Sequence, residues 1–300
     1  MIRDFEAIIK LSDDEEEKFA KFIQAKRKQL ILPPKDTARK AMESNKEEIE
    51  GLLKNKLITE SITKLRQYSY DEFLLEESHF NGVVLSEIAK KFNAPQKILH
   101  NISLNLHQFK DLSQIDFQEK VRFFFGEFAG CISPYIYQLC LSNTQSRRSR
   151  AGKVFEGIIY FLYEYFGFSY DSQASIGKKA FSSLGLGKVV DSILPSTKAF
   201  QEFRNKTIVG SMKTTLRERW QEVVEEISRS NLPNIYLLTV DDDISTSKAK
   251  QMAEHNIVLV VRSDVKTIKH LNDMRNIIDF ETYFDKEIPS VINYWGKCSD

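Results

Sequence analysis

Residues 187–195 read GKVVDSILP, and residues 207–226 read TIVGSMKTTLRERWQEVVEE. The first stretch is a short apolar strand interrupted by one acid, Asp191. A lone carboxylate in such a strand is costly unless something pairs with it or coordinates it. In the second stretch an apolar strand gives way to polar residues at Lys213 and then to a helical pattern. Outward from these two strands, helix and strand signals alternate. They predict a helix from Ser149 to Tyr165, strands over Lys188–Leu194 and Thr207–Thr214, a helix from Leu216 to Ser228, and a strand from Asn234 to Val240. A helix over Ser247–His255, a strand over Ile257–Arg262 and C-terminal helices that include Val265–Ile278 complete the series. Strands alternating with helices of this length imply an α/β domain with a mixed sheet covered on both faces.

Upstream, residues 1–145 read as a mainly helical region, suited to DNA contacts or dimerisation. Apolar residues recur at i, i+3, i+4 in Phe19-Phe22-Ile23, Ile49-Leu52-Leu53 and Ile58-Ile62-Leu65. Pro33-Pro34 interrupts the pattern, and Asp13 to Glu17 suit a solvated helix N-terminus. Leu85 to Ile102 reads as helix, break at Pro95, helix. That outline fits a helix-turn-helix DNA reader and equally a plain corner of a helical bundle. The texture changes near Ser146, which divides the chain into regions 1–145 and 146–300.

With 42% hydrophobic residues in 300, and with only 7 Pro and 12 Gly, the chain can bury a core, which excludes disordered and fibrous classes. The opening MIRDFEAIIKLSDDEEE is acidic where a secretion signal is basic, and no stretch approaches the ~20 apolar residues of a membrane span, so a cytoplasmic location is expected. Cys131, Cys140 and Cys298 are scattered, with neither metal-knuckle spacing nor a disulfide framework. The net charge of +1 conceals an uneven distribution. Residues 146–220 hold 13 Lys plus Arg against 6 Asp plus Glu, leaving 30 against 36 elsewhere. A local positive field in a near-neutral chain suits a polyanion bound at one face.

Asp191, Lys213 and Glu226 are the candidates to carry chemistry, a weak signal on spacing alone. Glu226 follows Lys213 by 13 residues and shares a helix face with Arg219 and Glu222. Two acids and a lysine at a sheet edge are what metal-assisted phosphodiester hydrolysis requires: hard carboxylate oxygens for Mg²⁺, and an amine to position or deprotonate the attacking water. Such a trio also occurs by chance in α/β domains. Arg217, Glu218 and Arg219 follow directly. Arginine offers two donors to guanine O6 and N7, and glutamate accepts from cytosine N4, so the triplet can read adjacent G·C pairs. A solvated helix start is the alternative, although arginines there oppose the helix dipole.

The combination SRRSRAGKVFEGIIYFLYEYFGFSYDSQ (146–173), VVDSILP (189–195) and GSMKTTLRERWQEVVEE (210–226) resembles the EcoRII, PspGI, SsoII and NgoMIV branch of type II restriction endonucleases, within the PD-(D/E)XK class. In the usual form of that class an acid stands two residues before the lysine; here that place is Ser211. In this branch the acid has moved to the following helix, where Glu226 stands. The resemblance implies a restriction-endonuclease-like fold, Asp191 and Glu226 as metal ligands, and Lys213 as the catalytic lysine. It also implies Glu156 as an additional acid facing the metal, and Arg217, Glu218 and Arg219 as readers of outer CC:GG pairs. Glu156 can alternatively be a surface or salt-bridged helical residue. Arg147, Arg148, Arg150 and Lys153 form a basic patch suited to clamping phosphate, though some of them can pair with acids of the chain.

The expected activity is Mg²⁺-dependent hydrolysis of double-stranded DNA by a homodimer at a short palindromic site flanked by CC and GG (CCGG, CCNGG or CCWGG), leaving 5′-phosphates. A cognate DNA methyltransferase is expected in the same system, without being a bound subunit. Relatives that cut CCNGG or CCWGG extrude central nucleotides onto an aromatic side chain. Counting back from the lysine puts that aromatic at Phe92, for which an ordinary core position is the alternative. Two other readings stand beside this one: a non-catalytic DNA-binding regulator, and a structure-specific nuclease acting on junctions or in repair. The run Leu184-Gly185-Leu186-Gly187-Lys188 lacks full phosphate-loop spacing and reads as plain turns.

Overall fold

The computed structural model describes residues 6–109, 111–187, 189–217, 219–230 and 232–296. These residues form two compact units: 1–33 with 70–149, and 34–69 with 150–300.

The first unit is helical. It contains α1 (Asp13–Leu30), the later part of α4 (Ile58–Lys91), α5 (Asn93–His107), α6 (Gln114–Cys131) and the first half of α7 (Ser133–Tyr165). Ser12 caps α1 by accepting from the Glu15 N–H, and Asp13 to Glu16 fill the first turn, as the dipole favours. The core gathers Phe19, Ile23, Phe73, Phe80, Ile88, Phe92, Ile98 and Tyr135. The break between α4 and α5 falls at Phe92 and not at Pro95, because proline is tolerated in the first turn of a helix.

Between α1 and α4 lie α2 (Pro34–Ser44) and α3 (Lys46–Lys54), and these belong to the second unit together with the start of α4. This differs from the expected division at Ser146. The apolar faces of these helices, Ala38, Ile49, Leu53, Ile58, Ile62 and Leu65, share one core with Phe155, Ile158 and Leu162 of α7. Burial of those faces decides the membership, whatever the order of the chain.

After α7 the second unit continues with β1 (Asp171–Ser172), the short helices α8 (Gln173–Ile176) and α9 (Lys178–Ser183), β2 (Ser192–Leu194), α10 (Thr197–Glu202) and β3 (Ile208–Lys213). Then come α11 (Arg219–Ser230), β4 (Ile235–Thr239), α12 (Thr246–Glu254), β5 (Ile257–Val261), α13 (Ser263–Lys266) and β6 (Ile277–Asp279). Further helix follows to Gly296. The six strands lie in sequence order, with β1, β2 and β3 antiparallel and β3 to β6 parallel. This is the mixed sheet that was expected. The long helix expected over Val265–Ile278 is replaced by α13, turns and β6, because Ile277 takes a place in the sheet beside Leu259.

Side-chain alternation divides the sheet into two faces. Leu194, Ile208, Met212, Leu238 and Val260 pack with α7 and the early helices. Ile193, Val209, Leu237, Leu259 and Val261 pack with Val223 of α11 and with Ala249 and Met252 of α12. The sheet is covered on both sides, which is why β4 is buried throughout.

Candidate active site

The register of β2 on β3 builds the site. Ser192 faces Gly210 and Leu194 faces Ile208, so the start of β2 lies beside the end of β3. Asp191 and Lys213, 22 residues apart, meet there. The Asp191 N–H donates to the Gly210 carbonyl at 2.8 Å, fixing the backbone at that point. A Cβ at Gly210 would run into the Ser192 hydroxyl and force it to move.

The Asp191 carboxylate is nearly buried. Its Oδ2 accepts from the Met212 N–H at 2.6 Å and lies 3.7 Å from Lys213 Nζ. Burial pushes this carboxyl up to about 6, against the pull of the lysine and of the Met212 N–H. Glu156, on α7, is pushed to about 7, first by burial and then by the charge of Asp191, with Lys213 and Lys153 opposing. The structure therefore brings Asp191, Lys213 and Glu156 within electrostatic reach of one another. Tyr160, one helical turn beyond Glu156, donates its hydroxyl to the Asp191 carbonyl at 3.0 Å.

Glu226 is placed differently. Its buried carboxylate accepts from the Gly187 N–H, from the Ser230 hydroxyl at 2.7 Å and from the Arg229 guanidinium at 2.8 and 2.9 Å. It thus binds the backbone four residues before Asp191, just after the turn at Leu184 and Gly185. Among the described residues no three His, Cys, Asp or Glu side chains converge as a metal cluster. The donors present are hard oxygens, two of them on carboxyls whose charging is opposed by burial, which is the chemistry a divalent cation fits. Ser211, where the common form of the class has an acid, is buried, and its hydroxyl has no hydrogen-bond partner among the described residues.

Of the three residues expected to read bases, Arg217 is an exposed turn residue with φ of 30°, Glu218 lies outside the described residues, and Arg219 is the first residue of α11. The helix expected from Leu216 starts three residues later because Leu216 and Arg217 are committed elsewhere. The Leu216 N–H donates to Asp241 Oδ2 at 2.7 Å, and Arg217 is left-handed, at a cost on the order of 1 kcal/mol.

The basic patch is corrected in part. Arg147 is bound through its guanidinium to Glu77, whose side chain is only 3% exposed, because a carboxylate so buried requires a counter-charge. Arg150 donates to the Thr37 hydroxyl at 2.8 Å. Arg148 and Lys153 are exposed and open to phosphate. Phe92 is corrected as well: it is a core residue, packed edge-on against Phe19 at 5.6 Å and Phe22 at 6.1 Å, and against Tyr135 at 5.2 Å. Cys131 is buried, Cys140 is exposed, and Cys298 lies outside the described residues.

Sequence reasoning missed Tyr160 and Asp241. The position of Tyr160 at i+4 from Glu156 was the available signal for the first. An acid at the carboxyl end of an apolar parallel strand was the signal for the second.

A six-stranded mixed sheet with this acid–lysine pair defines a restriction-endonuclease-like protein. Metal-depleted Ecl18kI in complex with uncleaved DNA superimposes with a TM-score of 0.72 at 30% identity, covering 95% of this chain and 86% of that one. The PspGI–substrate DNA complex superimposes at 0.58 with 18% identity, covering 88% of this chain and 94% of that one, a likeness of fold. The family model described as EcoRII C terminal matches residues 109–284, more than half of the chain, and the chain belongs to that family of type II restriction endonucleases. The type II restriction enzyme SsoII of Shigella sonnei is 36% identical over 223 residues, which is 74% of this chain and 66% of SsoII, just under two thirds of its length. Membership implies a divalent metal cofactor. No helix among the described residues is long and apolar enough to cross a membrane.

Proposed function

We propose that this chain is a type II restriction endonuclease, a site-specific deoxyribonuclease that hydrolyses double-stranded DNA at a short palindrome with CC and GG flanks. The observation that carries the reading is the Asp191–Lys213 pair at 3.7 Å, with Glu156 beside it and Arg217 four residues past the lysine. Complexes of related enzymes with DNA support the substrate class.

Asp191 and Glu226 are the proposed ligands of Mg²⁺, with Glu156 as the additional acid within electrostatic reach of Asp191. Bound there, the cation would activate water and neutralise charge developing on the phosphate. Lys213 holds the water that attacks phosphorus and stabilises the extra negative charge; the P–O3′ bond breaks, a proton lost by the water is balanced by protonation of the leaving 3′-oxygen, and the products carry a 5′-phosphate and a 3′-hydroxyl. Arg148 and Lys153 bind the backbone without reading sequence. Arg217, Glu218 and Arg219 read the outer G·C pairs. One such set per subunit and a palindromic target call for a homodimer. A separate methyltransferase would protect the host DNA, and the enzyme would act in the cytoplasm. Phe92, in the core, is not proposed as a platform for a flipped nucleotide.

Incubating the purified protein with phage DNA, with and without Mg²⁺, tests the proposal. Discrete fragments that require the metal are expected. A smear would favour a structure-specific nuclease, and intact DNA that is nonetheless bound would favour a regulator.

A further inference from the structure

The segment leaving β3 has three residues between Lys213 and Arg217 in which to turn from chemistry to recognition. Among the described residues, one side chain holds residues 214–217 to the rest of the sheet by a hydrogen bond, and that side chain is Asp241. Its Oδ2 accepts from the Leu216 N–H at 2.7 Å and its Oδ1 from the Asp243 N–H at 3.2 Å, while its own N–H donates to the Thr239 hydroxyl at 3.1 Å. Thr239 is fully buried and lies opposite Lys213 in the parallel register of β3 on β4. Asp241 is half-buried with both oxygens used, whereas its neighbours Asp242 and Asp243 are exposed.

We propose that Asp241 is a positioning residue for base recognition. Its carboxylate fixes the Leu216 backbone, and so sets the direction in which the next residue, Arg217, leaves the carboxyl end of β3. The inference rests on the reading of residues 217–219 as the base-reading triplet. Leu216 is fixed twice, by its fully buried side chain and by its N–H, and the left-handed turn comes immediately after it. A side chain that must meet guanine O6 and N7 together tolerates only a small error in its origin. A charged acceptor suits that task, because a carboxylate–amide hydrogen bond is shorter and stronger than a neutral one. The cost is an acid near the phosphates, and the structure limits it by turning both oxygens onto backbone N–H groups.

The test uses duplexes carrying the site mapped from phage DNA fragments, and matching duplexes with one outer G·C pair replaced. Cleavage of both sets is measured for the wild type and for Asp241→Ala, Asp241→Asn and Arg217→Ala, with thermal melting as a control. Asp241→Ala is expected to lower the ratio of cognate to altered-site cleavage about tenfold, and Asp241→Asn, which keeps an oxygen for Leu216, to lower it about threefold. Wild-type discrimination in Asp241→Ala, or equal losses in the two variants, overturns the inference. Should Asp241→Ala fail to fold, Asp241→Asn decides: reduced discrimination with normal melting supports the inference, and unchanged discrimination or a uniform loss of cleavage overturns it. If Arg217→Ala leaves discrimination intact, the base-reading assignment itself fails. If Arg217→Ala flattens discrimination and Asp241→Ala does not, only the positioning role fails.

Discussion

Lys213 Nζ stands 3.7 Å from Asp191 Oδ2, with the two side chains 14% and 13% exposed. The amine is the counter-charge that tolerates a carboxylate at this depth, and in the proposed reaction it is also the cation that would meet the phosphodiester.

Replacing Lys213 by Ala is therefore expected to abolish cleavage, by at least about a thousandfold, and to spare site-specific binding. Single-turnover cleavage and a binding titration in Ca²⁺ check both halves. Normal cutting by the variant would displace the site.

Glu156 and Asp191 give the metal-free protein a distinctive pH dependence. Both carboxyls titrate above their ordinary values, Asp191 at about 6 and Glu156 at about 7. Below about pH 3 folded and unfolded states are both protonated at these groups; between there and about pH 7 the folded state holds more protons, so stability falls as pH rises and then levels off. Glu156→Gln removes one of the opposed charges and is expected to raise stability at pH 8 by roughly 1–2 kcal/mol, with no gain at pH 4. Urea unfolding in EDTA at the two pH values measures the difference.

Arg147 and Arg148 are adjacent but should behave oppositely. Arg147→Ala strands the buried Glu77 carboxylate and is expected to cost about 1–3 kcal/mol of stability. Arg148→Ala should leave the melting temperature unchanged, weaken DNA binding and reduce the salt slope by about one unit.

Gly187 supports Glu226 so closely that a Cβ there would collide with the Glu226 carboxylate and the Arg229 guanidinium. Gly187→Ala is expected to destabilise by about 1–3 kcal/mol and to impair cleavage by shifting the approach to Asp191. Denaturant midpoints and cleavage rates of the folded variant read the two effects.

Glu218→Ala should lose discrimination at cytosine, at roughly 1–3 kcal/mol per contact, while still cutting a relaxed set of sites. Sequencing of fragment ends reports it.

Much of this site was legible in the chain. Asp191 was visible as an acid in an apolar strand, and Lys213 as the residue where the next strand turns polar. The strands β3, β4 and β5 lay close to their expected positions, since runs such as IVLVV admit few alternatives, whereas β2 occupies only the last three residues of its expected span. The rest depends on contacts between residues far apart in sequence. Nothing local tells Ile277 to join a sheet, or residues 34–69 to pack with α7. The true start of α11 is set by Asp241, 25 residues beyond the amide it binds. The pairing of Arg147 with Glu77 is equally invisible, because only burial makes that acid demand a partner.

The chain passes from the proposed cutting amine at Lys213 to the first proposed reading side chain at Arg217 in four steps. Target preference in such a protein cannot be transplanted as a cassette, since any graft that redirects Arg217 also pulls on the strand end that holds the lysine. Altered specificities should arise more readily through the loop after β4, which steers the reader from outside that short span.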